Sequence, residues 1–335
     1  MFMLYTLLLD TLYSAHALKG HTCKLGLKLL LPKDLRNRMP GEYVKDDLQQ
    51  TGNTLVHETF LDQTHGENDD LFAGVDIGST TAKAVVVSGD MILGSDIRPT
   101  GTNPTKAGEA SLGAVLNQVE RDAKGLQFTI ATGYGRVLAP FANETVTEIT
   151  CHAPGARHVE PHVRTIVDFG GQDVKAISLD DNGQISDFVI NDKCAAGTGR
   201  FLEFTSKLVL EVPLEEMGPL SLKASKPVKI SSTCTVFAQT EIISLLASGE
   251  RKEDILAGLH KAIAVRAGNL AKHVGARPVI LMTGGVAKNI GVKKALEEEL
   301  KEGVVVPTEI DPQLIGALGA ALIARSRADG RARDD

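Results

Sequence analysis

One pattern, used twice, constrains this chain more than anything else in it. From Leu71 the sequence reads LFAGVDIGSTTAKAVVVSGD. An apolar strand ends in Asp76, turns through Gly78-Ser79-Thr80-Thr81, and returns as a second β-branched strand around Ala84–Val87, with Gly89-Asp90 as hairpin punctuation. From Thr165 it reads TIVDFGGQDVKAISLDDNG, where Asp168, Gly170, Lys175 and Ala176 stand at one constant offset from Asp76, Gly78, Lys83 and Ala84. Two unrelated hairpins would share an Asp-x-Gly by chance but not the whole strand–turn–strand register. A duplicated domain, each lobe aiming an Asp–Gly hairpin at a common cleft, accounts for both.

Composition fits such a plan. Trp is absent and aromatic residues are only 4% of a chain that is 43% hydrophobic, so Val, Ile, Leu and Ala must build the core. That suits an α/β protein with buried parallel strands. A formal net charge of −6 argues against a nucleic-acid partner held by phosphate contacts. No apolar run approaches the roughly 20 residues that span a bilayer, so a cytoplasmic protein is expected.

Residues 1–70 mix short apolar runs with His, Asp and Gln and hold no sustained period. They read as an irregular N-terminal extension, or as an upstream stretch translated from a misplaced start. Met1 to Leu9 lacks the basic residue and cleavage site of a signal peptide. The first lobe is expected over 71–165, the second over 166–325, and a frayed, charged tail over 326–335. Helical segments are expected around Glu109–Ala123, Thr198–Leu210, Val236–Ala247, Arg251–His273 and Leu314–Ala324, with strands at Phe128–Ala131, Pro278–Met282 and Val304–Val306.

A phosphate chain needs backbone N–H donors that approach closely, hydroxyls and a cation. The turn Gly78-Ser79-Thr80-Thr81 with Lys83 offers one cradle, and Gly170-Gly171-Gln172-Asp173 offers a second. Neither matches a Walker or dinucleotide-binding fingerprint. Facing each other, the two hairpins can sandwich the β- and γ-phosphates of ATP. Asp76 and Asp168 would then hold Mg²⁺ through its waters, and Gln172 would orient the attacking water. Met282-Thr283-Gly284-Gly285 is a strand-to-helix turn whose two glycines leave bare backbone for adenosine. This ordered set is similar to the actin, heat-shock ATPase and sugar-kinase superfamily over about residues 71–325. The resemblance implies an α/β, duplicated actin-like (ribonuclease H-like) two-lobed ATPase fold.

Four cysteines in a chain without a secretory signal are expected to be reduced thiols. Cys194 and Cys234 each precede a segment of helical composition, where the dipole and unpaired N–H groups stabilise a thiolate. Position alone is better met by two small core residues. Were they to hold a [4Fe–4S] cluster, which takes four cysteines, two chains would have to share it. Cys151 reads as a packing residue, and His152, His158 and His162 as a solvated helix face.

NDKCAAGTGRF, SSTCTVFAQTE, DFGGQDVK and MTGGVAKN together closely resemble the activators of 2-hydroxyacyl-CoA dehydratases, in the group with the benzoyl-CoA reductase ATPase subunits. That resemblance implies a homodimer whose subunits each give Cys194 and Cys234 to one [4Fe–4S] cluster. It also implies one-electron transfer, driven by ATP turnover to ADP, from reduced ferredoxin or flavodoxin to an iron–sulfur dehydratase or reductase, with Glu203 at the nucleotide ribose. Open alternatives are an activating ATPase for another iron–sulfur enzyme, such as a double-cubane reductase, a nucleotide-dependent scaffold or filament protein, and an amino-sugar kinase. Residues 1–70 have no counterpart in the resemblance, and the partner's acyl-CoA leaves no trace in this chain.

Overall fold

In the computed structural model, which describes residues 70–191, 197–230 and 235–334, the repeat builds two sheets on one plan. The first sheet takes β1 (Leu71–Ile77), β2 (Thr81–Ser88), β3 (Met91–Pro99), β4 (Leu126–Thr132) and β5 (Glu144–Thr145) in the order β3-β2-β1-β4-β5. The second takes β6 (Thr165–Phe169), β7 (Val174–Leu179), β8 (Ile185–Asn191), β9 (Ile280–Gly284) and β10 (Val304–Val305) in the order β10-β9-β6-β7-β8. In both, three strands form an antiparallel meander and two more extend the sheet in parallel from the first of them. The shared register reaches individual pairs: Asp76 lies opposite Lys83, and Asp168 opposite Lys175. The fold is the actin-like, ribonuclease H-like unit, present twice.

Helices cover both sheets: α1 (Pro104–Gln118), α2 (Glu148–Val159), α3 (Gly199–Phe204), α4 (Leu214–Ser221), α5 (Thr235–Ala247), α6 (Lys252–His273), α7 (Ile290–Leu300) and α8 (Ile315–Asp334). Local chemistry sets their starts. Asn103 caps α1 by accepting from the Lys106 amide, with Pro104 as the first helical residue; Thr147 caps α2 through the Thr150 amide; Asn289 caps α7. Among the described residues, no helix is long and apolar enough to cross a membrane.

Strand alternation then sorts the faces. On β1, Leu71, Ala73, Val75 and Ile77 pack toward Leu112, Val115 and Leu116 of α1, while Phe72 faces Ala317, Leu318 and Ala321 of α8. Gly74 and Asp76 share the Phe72 face. On β6, Val167 and Phe169 enter the large core with Ile255, Leu259 and Ile263 of α6. Ile166 faces Ile149 and Ala153 of α2, and Asp168 shares that side. Both aspartates therefore end a central strand on the face covered by α2 and α8. Those helices cross at almost bare backbone. A Cβ on Gly319 would lie 2.7 Å from the carbonyl carbon of Cys151 and 3.0 Å from the Gly155 amide nitrogen, overlapping the Cys151 oxygen outright.

Two boundaries differ from the sequence expectation. The closing helix α8 packs on the first sheet, although it lies within and beyond the stretch assigned to the second lobe. The charged tail is helical through Asp334, since α8 continues past Ala324 and Arg325 reaches Asp90 at 2.6 Å. Strands β3 and β8 and helix α4 add to the elements expected.

Candidate functional site

The two hairpin turns meet across a cleft. A Cβ on Gly171 would lie 2.9 Å from Thr80 Cβ and 3.2 Å from Ser79 Oγ, so the second turn approaches the first only because Gly171 carries no side chain. The first turn is closed by Gly78 N donating to Thr81 O (3.0 Å) and by Thr100 Oγ1 donating to Gly78 O (2.7 Å). At the far end, Gly284 adopts φ +82°, and a Cβ there would sit 2.7 Å from the Phe169 carbonyl carbon. The start of α3 is fastened to the second turn, with Gly199 N donating to Gly170 O at 3.0 Å and Arg200 N to Gly171 O at 3.1 Å.

Charges are packed tightly at the cleft floor. Lys83 Nζ lies 2.9 Å from Asp76 Oδ2. Lys175 Nζ lies 3.2 Å from Asp168 Oδ2, 2.9 Å from Asp173 Oδ1 and 3.0 Å from Glu148 Oε1. Asp168 Oδ1 also accepts from Thr283 Oγ1 (2.8 Å) and faces His152 Nε2 at 3.2 Å. His152 Nδ1 lies 2.9 Å from the Glu148 carbonyl oxygen. Both ring nitrogens thus meet acceptors, so His152 carries two protons. Burial alone would favour neutral imidazole, but the Asp168 carboxylate outweighs it and lifts the pKa to about 9.

Burial likewise works against charge on both lysines, and their carboxylates more than reverse it, raising both pKa values. Asp168 is held well below the usual carboxylate range: His152 and Lys175 overcome its burial. Glu148 goes the other way. It has one ammonium, which it shares with two aspartates, and burial raises its pKa. Glu148, His152 and Asp168 present donor atoms within 4.8 Å of one another. The doubly protonated imidazole and the Lys175 ammonium already meet these groups, so the three do not suit a directly coordinated metal. Asp76 Oδ1 and Thr80 Oγ1, by contrast, are buried without a hydrogen-bond partner among the described residues. An oxygen so placed suits the hydrated cation that accompanies a phosphate chain.

Residues 73–324 match the model of the BadF/BadG/BcrA/BcrD ATPase family. The chain belongs to that family. It is 45% identical over 257 residues to the (R)-2-hydroxyglutaryl-CoA dehydratase activating ATPase of Acidaminococcus fermentans, covering 76% of this chain and 97% of the relative. It is 34% identical over 270 residues to one of the subunits of benzoyl-CoA reductase from Thauera aromatica, covering 78% and 95%. The structure of the 2-hydroxyisocaproyl-CoA dehydratase activator from Clostridium difficile with bound ADPNP superposes with a TM-score of 0.75 at 40% identity, covering 79% of this chain and 98% of that one.

In this member of the family the cleft gathers Asp76, Thr80, Thr81 and Lys83 from the first lobe. From the second it gathers Asp168, Gly170, Gly171, Glu203, Gly284 and Gly285. Gly78 and Ser79 belong to the first turn and are not among the lining residues. Asp173 turns to Lys175, and Gln172 is exposed and does not line the cleft. Cys194 and Cys234 lie outside the described residues. Cys151 is fully buried beside α8, with its thiol pushed up to about 12 by burial.

His152 corrects the expectation of a solvated face: it is 3% exposed, because α2 runs between the lobes instead of along the surface. Glu148, His152, Gly199 and Gln313 line the cleft without having been singled out as site residues. The spacing of Glu148 and His152 on one helix face, i and i+4, was the available signal.

Proposed function

We propose that this chain is an ATP-driven electron-transfer activator. It would act as a cytoplasmic homodimer and take one electron from reduced ferredoxin or flavodoxin. The acceptor would be an iron–sulfur dehydratase or reductase of the kind its relatives activate. Family membership supports the ATPase half of this reading. The observation that carries the coupling is the fastening of α3 to Gly170 and Gly171. Any shift of that turn on binding phosphate moves a helix whose approach is the NDKCAAGTG segment.

The phosphate chain would lie between Gly78–Thr81 and Gly170–Gly171, taking N–H groups from both turns and hydroxyls from Ser79, Thr80 and Thr81. Asp76 Oδ1 and the Asp168 carboxylate would hold the waters of a Mg²⁺ ion, which when bound would supply positive charge to the phosphate chain. Lys83 and Lys175 fix and aim both aspartates. Glu203 would meet the ribose, and Gly284 and Gly285 leave room for the base. Closure of the lobes on ATP pulls the two turns together, and reopening after hydrolysis releases them.

Two thiolates per chain, Cys194 and Cys234, are the right donors for half of a four-cysteine cluster. Helix α5 begins at Thr235, the next residue in sequence after the second of them, and a helix N-terminus favours a thiolate. Such a cluster, when bound, supplies a one-electron store.

Anaerobic purification tests the proposal. About four irons per two chains and a reducible electron paramagnetic resonance signal are expected. Cys194→Ser and Cys234→Ser should lose the iron while keeping ATP hydrolysis in the absence of partner. A colourless wild-type protein, or full iron in the double variant, refutes the electron-transfer half and leaves the ATPase.

A further inference from the structure

The cleft floor has one carboxylate too many. Asp76, Asp168, Asp173 and Glu148 share three cations, Lys83, Lys175 and His152. Asp76 and Asp168 are each fixed by the lysine across their own hairpin, and their side chains are 4% and 5% exposed. Asp173 serves Lys175 from outside the cleft lining. Glu148 is left. Its side chain is 25% exposed and lines the cleft, and Lys175 holds one carboxylate oxygen. The other oxygen, Oε2, has no hydrogen-bond partner among the described residues.

We propose that Glu148 is the catalytic base of ATP hydrolysis, its free oxygen taking a proton from the water that attacks the γ-phosphorus. The assignment rests on the cleft being an ATP site. The water oxygen bonds to phosphorus as the bond from phosphorus to the β–γ bridging oxygen breaks, and ADP leaves with that electron pair. The water proton passes to Glu148 and returns to solvent when the cleft opens. Four features favour this group over Gln172. Glu148 lines the cleft where Gln172 does not. It is the first residue of α2, a helix wedged between the lobes, so its backbone is fixed. Lys175 fixes one oxygen and thereby aims the other. Burial, only partly offset by Lys175 and reinforced by Asp76, makes it a stronger base than an ordinary glutamate.

The competing role is purely structural, a counter-charge for Lys175. Asp168 and Asp173 already fill that role, and a glutamine at 148 would keep an acceptor for the ammonium. The test uses the full chain, purified anaerobically, with Glu148→Gln and Glu148→Ala. MgATP turnover should fall by about 10²–10⁴-fold in both, while the Kd for a fluorescent N-methylanthraniloyl ADP stays within about threefold. Formate should restore part of the Glu148→Ala rate and none of the Glu148→Gln rate, a rescue that a lost counter-charge would not give.

Turnover by Glu148→Gln within about threefold of wild type overturns the assignment. So does a loss of ADP affinity in proportion to the loss of rate, or a Glu148→Ala rate unmoved by formate. Should Glu148→Ala fail to fold, the isosteric variant decides by turnover and affinity. A wild-type chain that cleaves no ATP refutes the ATPase reading and the assignment together.

Discussion

Glycine-to-alanine substitutions at two helical sites should move stability in opposite directions. Gly113 lies in α1 with nothing within 4 Å of the position its Cβ would take, whereas a Cβ on Gly319 in α8 meets the α2 backbone. Alanine is favoured over glycine in a helix by about 1 kcal/mol, so Gly113→Ala should stabilise by up to that amount. At Gly319 the same gain applies, but the methyl overlaps the Cys151 carbonyl oxygen and lies 2.7 Å from its carbon. Backbone cannot swing aside as a side chain can, so α2 and α8 must part. Overpacking of this kind costs about 3 kcal/mol or more.

The net expectation for Gly319→Ala is a loss of about 2 kcal/mol or more, against a gain of up to about 1 kcal/mol for Gly113→Ala. Urea unfolding at fixed pH measures both, and thermal melting should follow at about 2–4 °C per kcal/mol. A Gly319→Ala protein as stable as wild type would show that the helices do not cross as closely as described.

The buried imidazolium predicts a pH dependence. Its folded pKa of about 9 exceeds the ordinary 6.5, so the His152–Asp168 pair contributes fully below about pH 6.5 and is lost as pH rises through 9. Urea midpoints should report a loss of about 3 kcal/mol over that interval, and His152→Gln should flatten it; equal slopes would refute the protonation state. Lys175→Met leaves three carboxylates sharing one cation fewer and should cost about 3–5 kcal/mol in the same assay; a neutral effect would show that the network is not buried as described. Gly171→Ala drives the hairpin turns apart and should weaken nucleotide binding more than tenfold in equilibrium titration, with unfolding unchanged; intact affinity would show that the turns do not close on phosphate.

Much of the fold could be read in advance because the duplication is local. Asp76 with Lys83 and Asp168 with Lys175 are each seven residues apart, so one hairpin register fixes each pair. The apolar runs of β1 and β6 announced strands buried on both faces. The edge strand β8 did not, because Ser186, Asp187 and Phe188 are exposed to solvent and need no apolar pattern. Helix α4 was hidden by Gly218 and Pro219 in its second half.

Glu148 and His152 were passed over for a different reason: their i, i+4 spacing shows a shared helix face but not where that face lies. An acid in the first turn after a Thr cap is ordinary helix chemistry, and nothing local says that this helix will be wedged between two lobes. Only the crossing with α8, which the chain reaches after building the whole second lobe, gives those side chains their cleft.

The closing helix has a consequence for biosynthesis. Phe72, Val85 and Phe128 are made long before the Ala317, Leu318 and Ala321 that cover them. The first sheet must therefore wait, one face greasy and open, until the second lobe and α8 have been made, and it is a natural client for a holding chaperone in the meantime. A nonsense codon just before Ile315 should be as damaging to the oldest part of the molecule as to the newest.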